Sequence, residues 1–171
     1  DYALASNGAR VIGDVTSQSI EPNPSYYRML LGLFLGGLTV ANGPLAALST
    51  NLEVGDCWPI GGTHGLLGIH LSNTIIVENI AIDHINRLSA FDVGTAPRSM
   101  RLWGMLEDAQ SQNRTVALLS EFQYDINKPQ SQIFSVIPIT QAHIFRKVIL
   151  EIQGNWGSSE STCLYRVRVH G

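Results

Sequence analysis

The sequence predicts an all-β fold, an antiparallel sandwich, and three observations carry that prediction. Apolar and polar residues alternate with a period of two along most of the chain after residue 60. Clusters of turn-forming residues separate these runs at short, fairly even intervals. No long stretch holds a helical period, residues 25–35 coming nearest. Many short strands punctuated in this way are the pattern of a sandwich. The 171 residues fit a single domain, 1–171, with no internal repeat. At 44% hydrophobic and 15% charged residues, the chain can build a core and is not disordered by composition.

Taken in order, the strand candidates are residues 66–71, 79–85, 99–106, 115–124, 133–139, 148–153 and 163–170. Turn clusters lie between them at Asn73-Thr74, Gly94-Thr95-Ala96-Pro97, 108–113, Asn127-Lys128-Pro129 and 154–161. In 148–153, Val148, Leu150 and Ile152 share one face while Glu151 and Gln153 take the other. In 163–170 the odd positions are apolar or aromatic, and Arg166, Arg168 and His170 point away, which reads as one half-buried strand. Gly61-Gly62-Thr63-His64-Gly65 lacks the Gly-Lys-Ser/Thr ending of a phosphate loop and reads as a sharp turn beside Trp58.

One stretch breaks the pattern. Residues 29–48, MLLGLFLGGLTVANGPLAAL, carry no charge, and after Arg28 the next charged residue is Glu53. A membrane-spanning helix needs about 20 mostly apolar residues, so length permits one. Gly32, Gly36, Gly37 and Gly43 lie inside, Asn42-Gly43-Pro44 is a turn signal, and no basic cluster follows. Gly36-Gly37 can itself turn a hairpin joining 29–35 to 38–41. Three readings stay open: a buried core hairpin, a membrane span, or an apolar surface kept for a partner.

The chemistry-bearing residues exclude more than they assign. A net charge of -3 without a Lys/Arg cluster argues against a general nucleic-acid binder. The chain opens at Asp1 into polar sequence, without a secretory leader. His64, His70, His84, His143 and His170 form no i, i+4 pair and no H-E-x-x-H motif. Cys57 with His64 or His84 is a nominal thiol and base, but a structural cysteine with ordinary polar histidines is the stronger reading, and no enzyme activity is expected. Cys57 and Cys163, 106 residues apart, exclude a Cys-only zinc site. They are either two buried thiols or one disulfide closing a long loop, and a bridge implies an oxidising compartment.

Four pieces then stand in a telling order. They are Asp1-Tyr2-Ala3-Leu4-Ala5-Ser6-Asn7-Gly8-Ala9, Cys57-Trp58-Pro59, Asn155-Trp156-Gly157 and Thr162-Cys163-Leu164-Tyr165-Arg166-Val167-Arg168-Val169-His170-Gly171. Together they resemble the SUN domain, the C-terminal luminal domain of inner-nuclear-membrane proteins, from end to end. The resemblance implies a compact antiparallel β-sandwich, jelly-roll or discoidin-like, with a protruding apolar hairpin lid at about 19–45 and a cation loop at about 46–57. It implies a homotrimer formed with an upstream coiled coil and residence in the perinuclear space of the nuclear envelope. The partner it implies is a KASH peptide, the luminal C-terminal tail of an outer-nuclear-membrane protein, in the LINC complex that links nucleus and cytoskeleton. Neither nucleic acid nor direct membrane contact by this domain is implied.

Residue by residue, the lid falls on Tyr26, Tyr27, Met29, Leu30, Leu31, Leu33, Phe34, Leu35 and Leu38, and clamps the peptide by strand addition. The family's disulfide matches Cys57 and Cys163. Ala46, Ser49, Asn51, Asp56 and Tyr165 align with ligands of a monovalent cation, potassium or sodium, held mostly by backbone carbonyls. His84, Thr95, Ser161 and Tyr165 fall on the pocket for the peptide's terminal carboxylate, which needs several donors once it leaves water. Three features depart from animal relatives. Ser161 stands where a second pocket tyrosine is common. Thr16 stands where some relatives carry a cysteine that bonds to the peptide, so no intermolecular disulfide is expected. The hairpin is longer and richer in glycine, which suggests a fungal or divergent member. Two other readings compete. The same sandwich type serves as a discoidin-like module for glycans or lipid headgroups, with Trp58, Trp103 and Trp156 as its aromatics. SUN-like endoplasmic-reticulum proteins share the fold without the lid, and the apolar hairpin and His170-Gly171 ending speak against that group.

Overall fold

Period-two alternation becomes paired strand wherever an apolar face finds cover. The computed structural model describes residues 1–20, 42–106, 115–137 and 143–171. Among these residues there are ten strands: β1 (Arg10–Val11), β2 (Trp58–Gly61), β3 (Gly65–Ile75), β4 (Asn79–Asp83), β5 (Pro97–Leu106), β6 (Thr115–Gln123), β7 (Ser131–Ser135), β8 (Phe145–Asn155), β9 (Ser161–Leu164) and β10 (Arg166–His170). All pair antiparallel. They form a five-stranded sheet in the order β1-β3-β8-β5-β6, a three-stranded sheet β10-β4-β7 and a two-stranded sheet β2-β9. The helical elements among the described residues are short 3-10 turns, and none is long and apolar enough to cross a membrane.

The core lies between the two larger sheets. Leu67, Ile69, Leu71, Met100, Leu102, Val148, Leu150 and Ile152 come from one, and Ile80, Ile82, Val167 and Val169 from the other. Trp58, Leu48 and Phe145 fill the same cluster. Phe145 occupies a slot that Gly104 leaves open: a Cβ at position 104 would lie 2.3 Å from the ring. Gly104→Ala is therefore expected to destabilise the fold by about 1–3 kcal/mol through overpacking, read as a lower urea midpoint at unchanged slope.

The strand candidates hold, with instructive shifts. The run 163–170 is not one strand but two, β9 and β10. Thr162 and Leu164 are buried in the first, Val167 and Val169 in the second, so the alternation slips phase at Tyr165. The cause is a change of partner, because β9 pairs β2 whereas β10 pairs β4. Nor do Arg166 and Arg168 face solvent freely. Arg168 Nη2 lies 2.7 Å from Asp83 Oδ1 and 2.6 Å from Ser131 Oγ, and Arg166 Nη2 lies 3.1 Å from Asp1 Oδ2. Arg166 Nε is 3.9 Å from Asp83 Oδ2, which joins the two pairs into one ladder.

Strand β3 runs through Asn73-Thr74 to Ile75, because the turn chemistry there makes a register shift against β8 instead of a reversal. The expected strand 133–139 lies two residues earlier, as β7. Gln132 can enter a buried site because its amide donates to the Asp125 and Pro129 carbonyls and accepts from Asp125 N. Residues 138–142 are outside the described residues. β1 and β2 are not apparent from alternation alone. Gly62, at φ +68°, makes the predicted turn between β2 and β3.

The start of the chain is stitched to both sheets. Tyr2 N donates to Val169 O at 2.8 Å and Tyr2 O accepts from Ser72 N at 2.9 Å. Asp1 Oδ1 accepts from Ala3 N.

Candidate functional site

Strand β4 ends at Asp83, clamped between Arg166 and Ser131 of its two neighbours. The next residue, His84, leaves the sheet, and its backbone N donates to Gln130 O at 3.0 Å. Tyr124 Oη donates to the same carbonyl at 3.1 Å, which ties the β6–β7 turn to the end of β4. His84 is only 4% exposed. The Tyr165 ring meets it edge-on at 4.7 Å between centroids, and the Tyr124 ring lies at 5.9 Å on a tilt.

His84 Nδ1 lies 3.2 Å from Ile85 O, and its Nε2 is buried with no partner among the described residues. A carbonyl only accepts, so Nδ1 carries the proton and Nε2 of the neutral ring is a bare lone pair. Burial holds the imidazole below the ordinary histidine range, with the Ile85 bond opposing. Burial pushes Tyr124 up to about 12, and Asp83 and Asp125 add to the effect. Burial also raises Tyr165, against the Gly55 N–H bond and with help from Asp56. Both phenols therefore keep their protons at neutral pH.

On the Tyr165 side stands the disulfide. Cys57 and Cys163 are bonded, their Cα atoms 5.5 Å apart. With Ile85 and Tyr165 they form a small apolar cluster on which Ala90 packs. Tyr165 Oη accepts from Gly55 N at 3.2 Å, so one phenol touches the histidine, the disulfide cluster and the loop before Cys57. Thr95 closes the 3-10 turn Val93–Thr95, and its hydroxyl donates to Asp92 O at 2.7 Å. Ser161 opens β9 opposite Gly61, and its carbonyl accepts from Asn155 Nδ2. Of the four expected pocket residues, the structure brings His84 and Tyr165 into contact. Among the described residues neither Thr95 nor Ser161 is hydrogen-bonded to either.

On the Tyr124 side of His84 a cleft of about 280 Å³ opens, with Arg87, Val93, Ile126 and Lys128 in its lining. Arg87 Nη1 donates to Asn127 Oδ1 at 2.5 Å and so spans from one loop to the other. Sequence reasoning missed this cleft. Asn127-Lys128-Pro129 reads only as a turn, and nothing in the pattern marks Arg87 or Tyr124.

In the loop before the disulfide, Asn51 Nδ2 lies 2.5 Å from Asp56 Oδ2, Ser49 Oγ accepts from Asn51 N, and Asn42 Nδ2 donates to Gly55 O. Ser49, Asn51 and Asp56 are thus tied to one another within this loop, and Tyr165 reaches it through Gly55 N. Ala46 is different. Its carbonyl already accepts from both Ser49 N and Ser49 Oγ, so an ion there competes with the 3-10 turn Pro44–Leu48. Among the described residues no three His, Cys, Asp or Glu side chains converge on a metal site. The nominal lid residues Tyr26, Tyr27, Met29, Leu30, Leu31, Leu33, Phe34, Leu35 and Leu38 lie outside the described residues. Thr16 Oγ1 donates to Ile12 O and accepts from Gly68 N, a structural role.

Each tryptophan nitrogen is engaged within the fold. Trp58 is buried with Nε1 on Ser19 Oγ, Trp103 Nε1 donates to Glu151 Oε2, and Trp156 donates to Tyr124 O beneath the Arg98 guanidinium.

Fold and site together define a discoidin-like β-sandwich. Solved structures share that fold. A family 32 carbohydrate-binding module from a family 31 glycoside hydrolase of Clostridium perfringens superposes with a TM-score of 0.66 at 8% identity, covering 99% of this chain and 95% of the module. Allantoicase from Saccharomyces cerevisiae gives 0.61 at 16% identity over 99% of this chain and 42% of its own. Within that class, the profile of the Sad1 / UNC-like C-terminal family matches residues 39–171, and the chain belongs to this family, the SUN domain. SUN domain-containing protein 2 of Arabidopsis thaliana is 32% identical across the whole chain, SUN domain-containing protein 1 of Homo sapiens 29%, and the Klaroid protein of Drosophila melanogaster 30%. The chain spans 36%, 21% and 17% of these relatives' own lengths.

Proposed function

We propose that this domain is a non-catalytic tether that binds the luminal C-terminal tail of a KASH-type outer-nuclear-membrane protein in the perinuclear space. The observation that carries the reading is the buried His84 imidazole, whose Nε2 has no partner among the described residues and whose ring meets Tyr165, a member of the disulfide cluster. An orphaned buried nitrogen is rare in a folded protein and is worth keeping where a ligand completes it. The terminal carboxylate of the peptide is that ligand, with Tyr165, Thr95 and Ser161 around it. The role of the lid falls to residues 26–38 by the family resemblance, and the domain works as a homotrimer on an upstream coiled coil. A potassium or sodium ion, held by Ser49, Asn51, Asp56 and Tyr165, supplies fixed positive charge that keeps the loop oxygens together. By this role the domain links nucleus to cytoskeleton.

The test compares peptides ending in a free carboxylate with the same peptides amidated. Binding of the free form alone is expected, and equal binding of both sinks the reading. His84→Ala is expected to weaken binding by about 1–3 kcal/mol, because a desolvated carboxylate loses a donor. The pH dependence has a definite sign. In the free chain His84 is neutral and Nε2 has no proton to give, so holding a carboxylate requires that nitrogen to take one up. Affinity should therefore rise as pH falls from about 8 to about 6, and His84→Ala should flatten the profile. Calorimetry in two buffers of different ionisation enthalpy reads the proton directly.

A further inference from the structure

The cleft on the Tyr124 side of His84 owes nothing to Thr95, Ser161 or Tyr165, none of which lines it. It has a chemistry of its own. Arg87 enters from the segment after His84 and Lys128 from the β6–β7 turn, so two cations reach one cleft from different loops. The Asn127 bond ties the Arg87 guanidinium to the β6–β7 turn. Neither cation has a carboxylate partner among the described residues, and no Asp or Glu is in the lining.

The charges of Asp83 and Asp125 are felt at Tyr124, but neither residue lines the cleft. Asp83 is paired with Arg168 and Arg166. Asp125 accepts from both nitrogens of Asn127, and Asp92 from Gly94 N. The buried His84 is common to this cleft and to the disulfide side, and its Nε2 is without a partner among the described residues. The Tyr124 hydroxyl is spent on Gln130 O, so that residue offers chiefly its ring. Val93 and Ile126 add apolar flank suited to a short methylene stem.

We infer that this cleft is a second anion subsite, which takes the carboxylate side chain of an Asp or Glu residue in the bound peptide through Arg87 and Lys128. The inference rests on the peptide reading above. It makes the domain selective for tails with an acidic residue close to their free C-terminus. A planar carboxylate suits the guanidinium fork, and the ammonium supplies a second, movable donor.

A pool of twelve-residue peptides, randomised at every position, tests this when offered to the chain in free-carboxylate and amidated forms. Sequencing the bound fraction from the free pool should show Asp or Glu enriched about fivefold at one position, the scale of two exposed ion pairs. Arg87→Gln with Lys128→Gln should lose that enrichment, with an unchanged thermal midpoint showing that the fold is intact. Bound peptides without acidic enrichment overturn the subsite, as does enrichment that survives in the double variant. If the double variant instead erases the preference for free over amidated ends, the cleft holds the terminal carboxylate and the subsite reading falls. Equal binding of the free and amidated pools, or no binding of either, removes the peptide reading and this inference with it.

Discussion

Opening the Cys57–Cys163 bridge is expected to cost about 4–5 kcal/mol of stability. The bridge closes a loop of 106 residues, and the entropy that such a closure removes from the unfolded chain has this size in the chain-entropy model. A domain of this length has a total stability of roughly 5–15 kcal/mol, so the loss is large enough to leave much of the population unfolded. The measurement is urea unfolding with and without reductant, repeated on Cys57→Ser with Cys163→Ser to separate reduction from side effects. A reduced midpoint equal to the oxidised one would show that the bridge does not restrain the unfolded state. The effect should reach the site as well. Cys163 is two residues before Tyr165, and the disulfide, Ile85 and Tyr165 pack as one cluster beside His84. Peptide affinity is expected to fall under reductant even at temperatures where the sheets remain intact.

Asp83→Asn is the second large loss, expected at about 3 kcal/mol. Asp83 is nearly buried, with a side chain 7% exposed, and it receives Arg168 at 2.7 Å and Arg166 at 3.9 Å. Removing one partner of such a pair leaves a desolvated charge behind, which typically costs about 3–5 kcal/mol. The lower end applies because Arg168 keeps Ser131 and Arg166 keeps Asp1. Arg168→Leu combined with Asp83→Asn should cost clearly less than the two single changes added together. Strict additivity would show that the charges do not act on each other. Since Asp83 adjoins His84, the single variant should also weaken binding of a free-carboxylate peptide.

How much of this was legible in the sequence depends on which force decides each element. Where an apolar face alone sets the strand, as at Val148, Leu150 and Ile152, alternation was enough. Where polar residues enter the core with their bonds satisfied, as Gln132 does, alternation misplaced the strand. Tyr165 shows the same limit in another form. A single alternating run was divided by a change of sheet partner, which depends on contacts some hundred residues away and has no local signature. The disulfide pairing came from resemblance to a family, since two cysteines by themselves left both readings open. His84 and Tyr165 were named the same way and do meet. The cleft with Arg87, Lys128 and Tyr124 was invisible because its walls belong to loops brought together by hydrogen bonds on Gln130 O and by the Arg87–Asn127 bond.

The stitching at the first residues has a mechanical side. Asp1 and Tyr2 are held at once by β10, through Arg166 and Val169, and by β3, through Ser72. A pull applied at the first residue is therefore shared between both layers of the sandwich from the outset. From Arg166 that tension passes by Asp83 to the backbone next to His84, so the first residue and the candidate site are joined by a path only a few side chains long.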